Sequence, residues 1–222
     1  MRSALSSGAS LVQHMCCTNA TDILLGVSTI DPHLVAAAAR VLDREGRRGL
    51  TLTGIAEEAG VSRVTVHRRG AGTDDYLVAV LGRASDDLRE SLWPVLTGEG
   101  SAAQRLERGL RILCDVCERH RGVMAAMFAA PALPVPGQPG RTTSFQFIEP
   151  FERLVRDGQL DGSLRSTDPL PDATMTANAV AWTFLHMRAA HGWDRATATD
   201  RIVELAIAHL LPGTNEASHV RS

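Results

Sequence analysis

Lysine is absent: all 23 basic residues of the chain are arginine. With an alanine- and glycine-rich vocabulary, this reads as a genomic base-composition bias, so a lone arginine carries less weight than a patterned set. Aromatic residues are scarce at 4%, and alternating β-branched runs, the mark of half-buried strands, do not occur. No apolar run approaches the ~20 residues needed to cross a bilayer. The amino terminus has Arg2 but no apolar stretch leading to a small-residue cleavage site, so a cytoplasmic location is expected. The four cysteines fall as Cys16–Cys17 and Cys114–Cys117. Neither spacing frames a disulfide module, and both pairs are expected to be reduced. Acids number 25, leaving a formal charge of −2, so any nucleic-acid surface must be a local patch. What remains is a chain of 222 residues, 44% of them hydrophobic. That supports one medium domain, or a small one joined to a larger, and excludes a disordered chain.

From Asp31 to Leu211 nearly everything reads as helix, about nine in all, so the expected class is all-α. Residues 1–29 lack periodicity and form an expected flexible leader; residues 213–222 form a polar tail. Asp31-Pro32 is a helix start, and Leu34, Ala37, Ala38, Val41 and Leu42 make one buried stripe that ends at Gly46. A second helix opens at Thr51 and buries Leu52, Ile55, Ala56 and Ala59. Gly60 then supplies a left-handed turn, and Ser62 caps a third helix running to about Arg69. Thr73 is expected to cap a fourth helix that reaches Pro94 or slightly beyond. Ser101 and Gln104 form a capping box for the next, which runs to about His120. A short helix covers Val123–Ala129, and Pro131–Gly140, with four prolines and two glycines, is a loop. Further helices are expected over Thr143–Gly158, Pro171–His191 and Arg195–Leu211.

The segment Leu50–Arg69 is the specific part. Two helices too short to stand alone meet at Ala59-Gly60-Val61-Ser62 and must brace each other and the first helix. Leu52, Ile55, Ala56, Val61 and Val66 face inward, leaving Ser62, Arg63, Thr65, His67 and Arg68 toward solvent. Between Gly60 and Gly72 there are three arginines and no acid. This is the shape and sign of a helix that enters a major groove. Ser62 and Thr65 suit phosphate oxygens, Arg63 and Arg68 reach base edges, and His67 can do either.

The stretches AAAARVLDREG, LTLTGIAEEAGVSRVTVHRR and DDYLVAVL resemble the DNA-binding domain of the tetracycline-repressor (TetR) family of transcriptional regulators. The resemblance implies a helix-turn-helix domain over residues 30–81 and a larger helical effector-binding and dimerisation domain over 82–212. It also implies a homodimeric, ligand-responsive regulator, a repressor released from a palindromic operator in double-stranded DNA by a small apolar effector. Thr51, Ser62 and Thr65 keep the family's pattern. His67 replaces an aromatic that packs on the DNA backbone, Arg69-Gly70 replaces a second aromatic pair, and Thr73 replaces a phosphate-contacting Lys. Arg68 and Arg69 are expected to compensate. The competing reading is a helical ligand-binding or interaction protein whose helix-turn-helix has lost DNA binding.

In the second half, MTANAVAWTFLHMRAA and RIVELAIAHLL are apolar on more than one face, as helices with a second neighbour are. Ala177, Ala181, Ile202, Leu205 and Ala206 are the expected dimer interface. Leu110, Leu113, Cys114, Cys117, Phe145, Ile148, Phe151, Trp182 and His186 are the candidate effector lining, without charge and so suited to a neutral or apolar ligand. Cys114-x-x-Cys117-x-x-His120 has helical metal-ligand spacing, but buried thiols usually act as small apolar groups, and no metal is expected. No nucleophile elbow, phosphate-cradling glycine loop or His-Glu metal helix is present, so neither an enzyme nor a cofactor is expected.

Overall fold

The computed structural model describes residues 30–68, 71–129, 133–134, 142–143, 148–165 and 168–212. The leader, the tail, Arg69, Gly70, Phe145 and most of the Pro131–Gly140 loop lie outside the described residues. Nine helices make up the described residues, with one two-residue antiparallel ladder between β1 (Leu133–Pro134) and β2 (Thr142–Thr143).

Helices α1 (Pro32–Gly49), α2 (Leu52–Ala59) and α3 (Arg63–Arg68) form a small head. The Asp31 carboxylate accepts the His33 N–H at 2.8 Å, and Pro32 occupies the first helical position, where its missing N–H costs nothing. Leu34, Ala37, Ala38, Val41 and Leu42 are all buried. Gly46 interrupts α1 with φ of 67°, a left-handed value that glycine adopts without strain, but one further turn carries Arg47 and Arg48 to Gly49. The helix therefore kinks at Gly46 where the sequence predicted an end.

Helix α4 (Thr73–Leu96) runs from the head into the body. Tyr76 to Leu81 are six consecutive buried residues, as expected of a helix with neighbours on every side. Its cap is Gly72, whose N–H is donated to Asp75 Oδ2 at 2.7 Å; Thr73, expected as the cap, is the first helical residue. The glycine wins because Asp75, three residues on, reaches back to its N–H.

The body comprises α5 (Ala102–Arg119), α6 (Arg121–Ala129), α7 (Glu149–Asp161), α8 (Pro169–Ala190) and α9 (Arg195–Ala208). The Ser101 capping box forms: Ser101 Oγ accepts the Gln104 N–H, and Gln104 Oε1 accepts the Ser101 N–H at 3.0 Å. Helix α5 is central, packing on α4, α7, α8 and α9. Arg105 pairs with Asp157 of α7, Arg111 with Asp200 of α9, and Glu118 with Arg188 of α8. The helix expected over Thr143–Gly158 begins only at Glu149, where Pro150 favours a first turn; Thr142 and Thr143 pair with the first strand instead.

Head and body meet at the α5–α6 junction. The Gly122 N–H, at the start of α6, is donated to Asp43 Oδ1 of α1 at 2.8 Å. Asp87 of α4 accepts from Arg119 Nε at 2.9 Å and lies 2.8 Å from His120 Nε2. Arg119, with His120 adding to it, holds the Asp87 carboxyl below its ordinary range.

Candidate nucleic-acid interface

The head is built around one buried side chain on a very short helix. Gly60, at φ of 67° and ψ of 28°, closes α2 and donates its N–H to Glu57 O at 3.1 Å; the Val61 N–H reaches Ala56 O at 3.0 Å. Thr51 Oγ1 caps the other end of α2, accepting from the Gly54 N–H at 3.0 Å. Ser62 Oγ accepts the Thr65 N–H at 3.1 Å and lies 2.9 Å from Thr65 Oγ1. Both hydroxyls expected at phosphates are thus already joined to each other while remaining exposed.

Val66 is fully buried and anchors α3 against the head. With about 100° between successive helical residues, Val64 and Arg68 lie on the side opposite Val66, Arg63 and His67 on one flank and Thr65 on the other. Ser62, Arg63, Thr65, His67 and Arg68 are all exposed. Val64 is 58% exposed, and reading the sequence for polar groups alone missed it. A helical projection from Val66 would have found it.

Two acids of the head, Glu58 and Asp74, are engaged by arginines of α1. Glu58 of α2 accepts from Arg40 and Arg44 of α1, each at 2.6 Å, and these guanidiniums, Arg40 foremost, hold its carboxyl below the ordinary range. Asp74 accepts from Arg47 at 2.6 Å. Among the described residues no ion pair involves Arg63 or Arg68, so their charge faces outward. The arginine spacing 40, 44 on one face of α1 was the sequence signal for the pair that neutralises Glu58.

In the body the expected effector residues divide. Leu110, Leu113, Cys114, Cys117 and Phe151 are buried in one core, with Ile148 packed against it. Burial pushes the Cys114 thiol up to about 12 and raises the Cys117 thiol as well, so both stay neutral. Trp182 and His186 are not brought to this group: both are exposed on α8, where the His186 ring meets His191 edge-on. The expected interface divides too. Ala177, Ala181 and Ile202 are buried within the chain, Ala206 is half-buried, and Leu205 is 76% exposed. An open apolar groove of about 270 Å³ lies between α8 and α9, with Met175, Ala179, Ile202 and Leu205 among its walls and the Thr176 hydroxyl buried in its floor.

No family model and no curated relative matches the sequence. Solved structures do match. The FadR transcriptional regulator of Bacillus subtilis, in complex with stearoyl-CoA, superposes with a TM-score of 0.61 at 12% identity, over 80% of this chain and 98% of that one. A TetR/AcrR-family regulator of Thermobifida fusca gives 0.57 at 18% identity, over 79% and 94%. The fatty acid degradation regulator FadR of Bacillus halodurans gives 0.59 at 14%, over 81% and 96%. The chain has the TetR-family fold.

Of the departures noted in the sequence, two fall on described residues. His67, in the place of a backbone-packing aromatic, is exposed. Thr73, in the place of the Lys, is half-buried at the first position of α4. The three-helix head of the TetR fold is thus present, with Arg63, His67 and Arg68 exposed on α3.

Proposed function

We propose that this protein is a dimeric, ligand-responsive DNA-binding transcriptional regulator, a repressor that leaves a palindromic operator when a small apolar effector binds. The carrying observation is the outward-facing arginine pair on α3, held by Val66 and Gly60 in a head where Glu58 and Asp74 are already paired with arginines of α1. Residues 30–81 form the reading unit and 82–212 the effector and dimer unit. Arg63 and Arg68 contact bases or phosphates, Ser62, Thr65, His67 and Thr51 contact phosphates, and Arg69 and Thr73 flank them.

Two heads are needed for a palindrome, and the α8–α9 face suits a second copy. Leu170, Met175, Trp182 and Leu205 are large exposed apolar residues on these two helices. Exposed apolar area of this kind marks an interaction surface. Trp182 and His186 belong to this face, not to the effector site. For the effector we retain Leu110, Leu113, Cys114, Cys117, Ile148 and Phe151, between α5 and α7. A ligand there parts side chains now in one core, and the stearoyl-CoA complex of the Bacillus subtilis regulator supports an apolar class. The resulting shift reaches the head through the Asp87–Arg119–His120 cluster and the Gly122–Asp43 contact, changing the spacing of the two recognition helices.

Mobility shift with DNA flanking the gene, repeated across a salt series, tests the reading. Log affinity should fall steeply against log salt as phosphates are neutralised. No shifted complex, or a slope near zero, would favour a helical binding protein with a degenerate head.

A further inference from the structure

One of the side chains that α3 turns outward is aliphatic. Val64 is 58% exposed, while Val66 two residues on is fully buried, so α3 turns Val64 away from the core and toward whatever the head meets. Nothing in the packing of the head uses it. Its neighbours on the same side are Arg68, one turn along, and Arg63 and His67 on the flank, all exposed polar groups. A β-branched side chain in a helix is nearly fixed in one rotamer, so Val64 presents its isopropyl group as a rigid surface.

Resting on the proposed DNA-binding function, we propose that Val64 is a specificity-determining residue that reads the C5-methyl group of one thymine in each half-site. Of the four base edges in the major groove, guanine, adenine and cytosine offer only hydrogen-bonding groups, and thymine alone adds a methyl. Valine has neither donor nor acceptor, so the base edge that gains from meeting it is the methyl-bearing one. Set between Arg63 and Arg68, the contact excludes water from the centre of the interface while the arginines take the polar positions. A cytosine or purine at that position would leave the isopropyl group against an unsatisfied polar edge.

The experiment uses the full chain and duplexes selected by it from a random pool. Each thymine of the selected half-site is replaced in turn by deoxyuridine, which lacks only the methyl, and affinities are measured for the wild-type protein and for Val64→Ala. The wild type should lose about fourfold at one thymine per half-site, the worth of one buried methyl, and about sixteenfold when both half-sites are changed. In Val64→Ala the thymine-to-uracil difference at that position should vanish, while losses at other positions stay as in the wild type. Because Val64 is exposed, the variant should fold normally, which thermal unfolding verifies. If the wild type is indifferent to uracil everywhere, if the half-site holds no thymine, or if discrimination survives in Val64→Ala, the assignment is wrong although the protein binds DNA. If no duplex is selected, the DNA-binding reading itself fails and takes this inference with it.

Discussion

Alanine at position 122 sets two effects against each other with opposite signs. Gly122 lies in the first turn of α6, and a glycine-to-alanine change in a helix normally stabilises by about 1 kcal/mol. Here a Cβ would lie 2.5 Å from both the Asp43 N and the Leu42 carbonyl carbon of α1, and 2.6 Å from Asp43 Oδ1. Two of these are backbone atoms and cannot rotate away. Restoring a contact of about 3.5 Å demands that α1 and α6 separate by roughly 1 Å. Overpacking of this kind costs about 1–3 kcal/mol. The separation also stretches the Gly122–Asp43 hydrogen bond, for a further ~1–2 kcal/mol. The net loss is about 1–4 kcal/mol, or a fall in Tm of about 2–16 °C for a chain of this size. Urea and thermal unfolding of Gly122→Ala measure it. Asp43→Ala alone should cost about 1–2 kcal/mol by leaving the N–H unpaired. Added to Gly122→Ala it should give no rescue, because the clash is with backbone. A Gly122→Ala protein as stable as the wild type, or more so, would refute the close approach of α1 and α6 on which the head–body coupling depends.

Other outcomes follow from single contacts. Asp87 has a depressed pKa in the folded state, so its contribution to stability is present above the unfolded value, about 3.8, and is lost as pH falls through the folded one. In urea titrations the gap between wild type and Asp87→Asn should be full at pH 6 and should close below about pH 4; a constant gap would count against the ion cluster. Leu205→Glu places a charge on a side chain 76% exposed in the single chain, so sedimentation should show monomers with little loss of monomer stability. A dimer that persists places the interface elsewhere. In a Cys16→Ser/Cys17→Ser background, Cys114 and Cys117 should resist a thiol reagent at pH 8 until the protein is unfolded, since burial keeps both thiols protonated and covered. Rapid native labelling would show that α5 opens locally.

Much of the head could be read directly, because its signals are local. Asp31-Pro32, Thr51, Gly60 and Ser62 each act through hydrogen bonds or backbone angles within a few residues, and all four do what their chemistry predicts. Where two local signals compete, the sequence misleads: Thr73 is a good cap by type, yet Asp75 reaches back to Gly72 and moves the start by one residue. Thr143 failed for a different reason, since its pairing partner is Leu133, ten residues away across a proline-rich stretch. The body was harder because α8 is apolar on several faces. Ala177 and Trp182 look equally buried in a hydrophobic pattern, but one packs within the chain and the other faces out. Periodicity orients a helix only when one side is polar. Val64 escapes a reading for polar groups alone, and its outward place is legible only by projecting the helix from Val66. Gly122 gave no sequence signal; only the approach of a distant helix makes it matter.

Guanine N7 lies in the major groove, and its methylation therefore probes the central claim directly. Dimethyl sulfate interference on the bound operator should identify guanines in two symmetric half-sites, their centres one or a whole number of helical turns apart. In Arg68→Ala the interference at one guanine per half-site should disappear, together with a loss of affinity of about 1–3 kcal/mol per contact. Binding that ignores N7 methylation throughout, or a footprint lacking two-fold symmetry, would contradict an arginine-bearing α3 seated as a pair in the major groove.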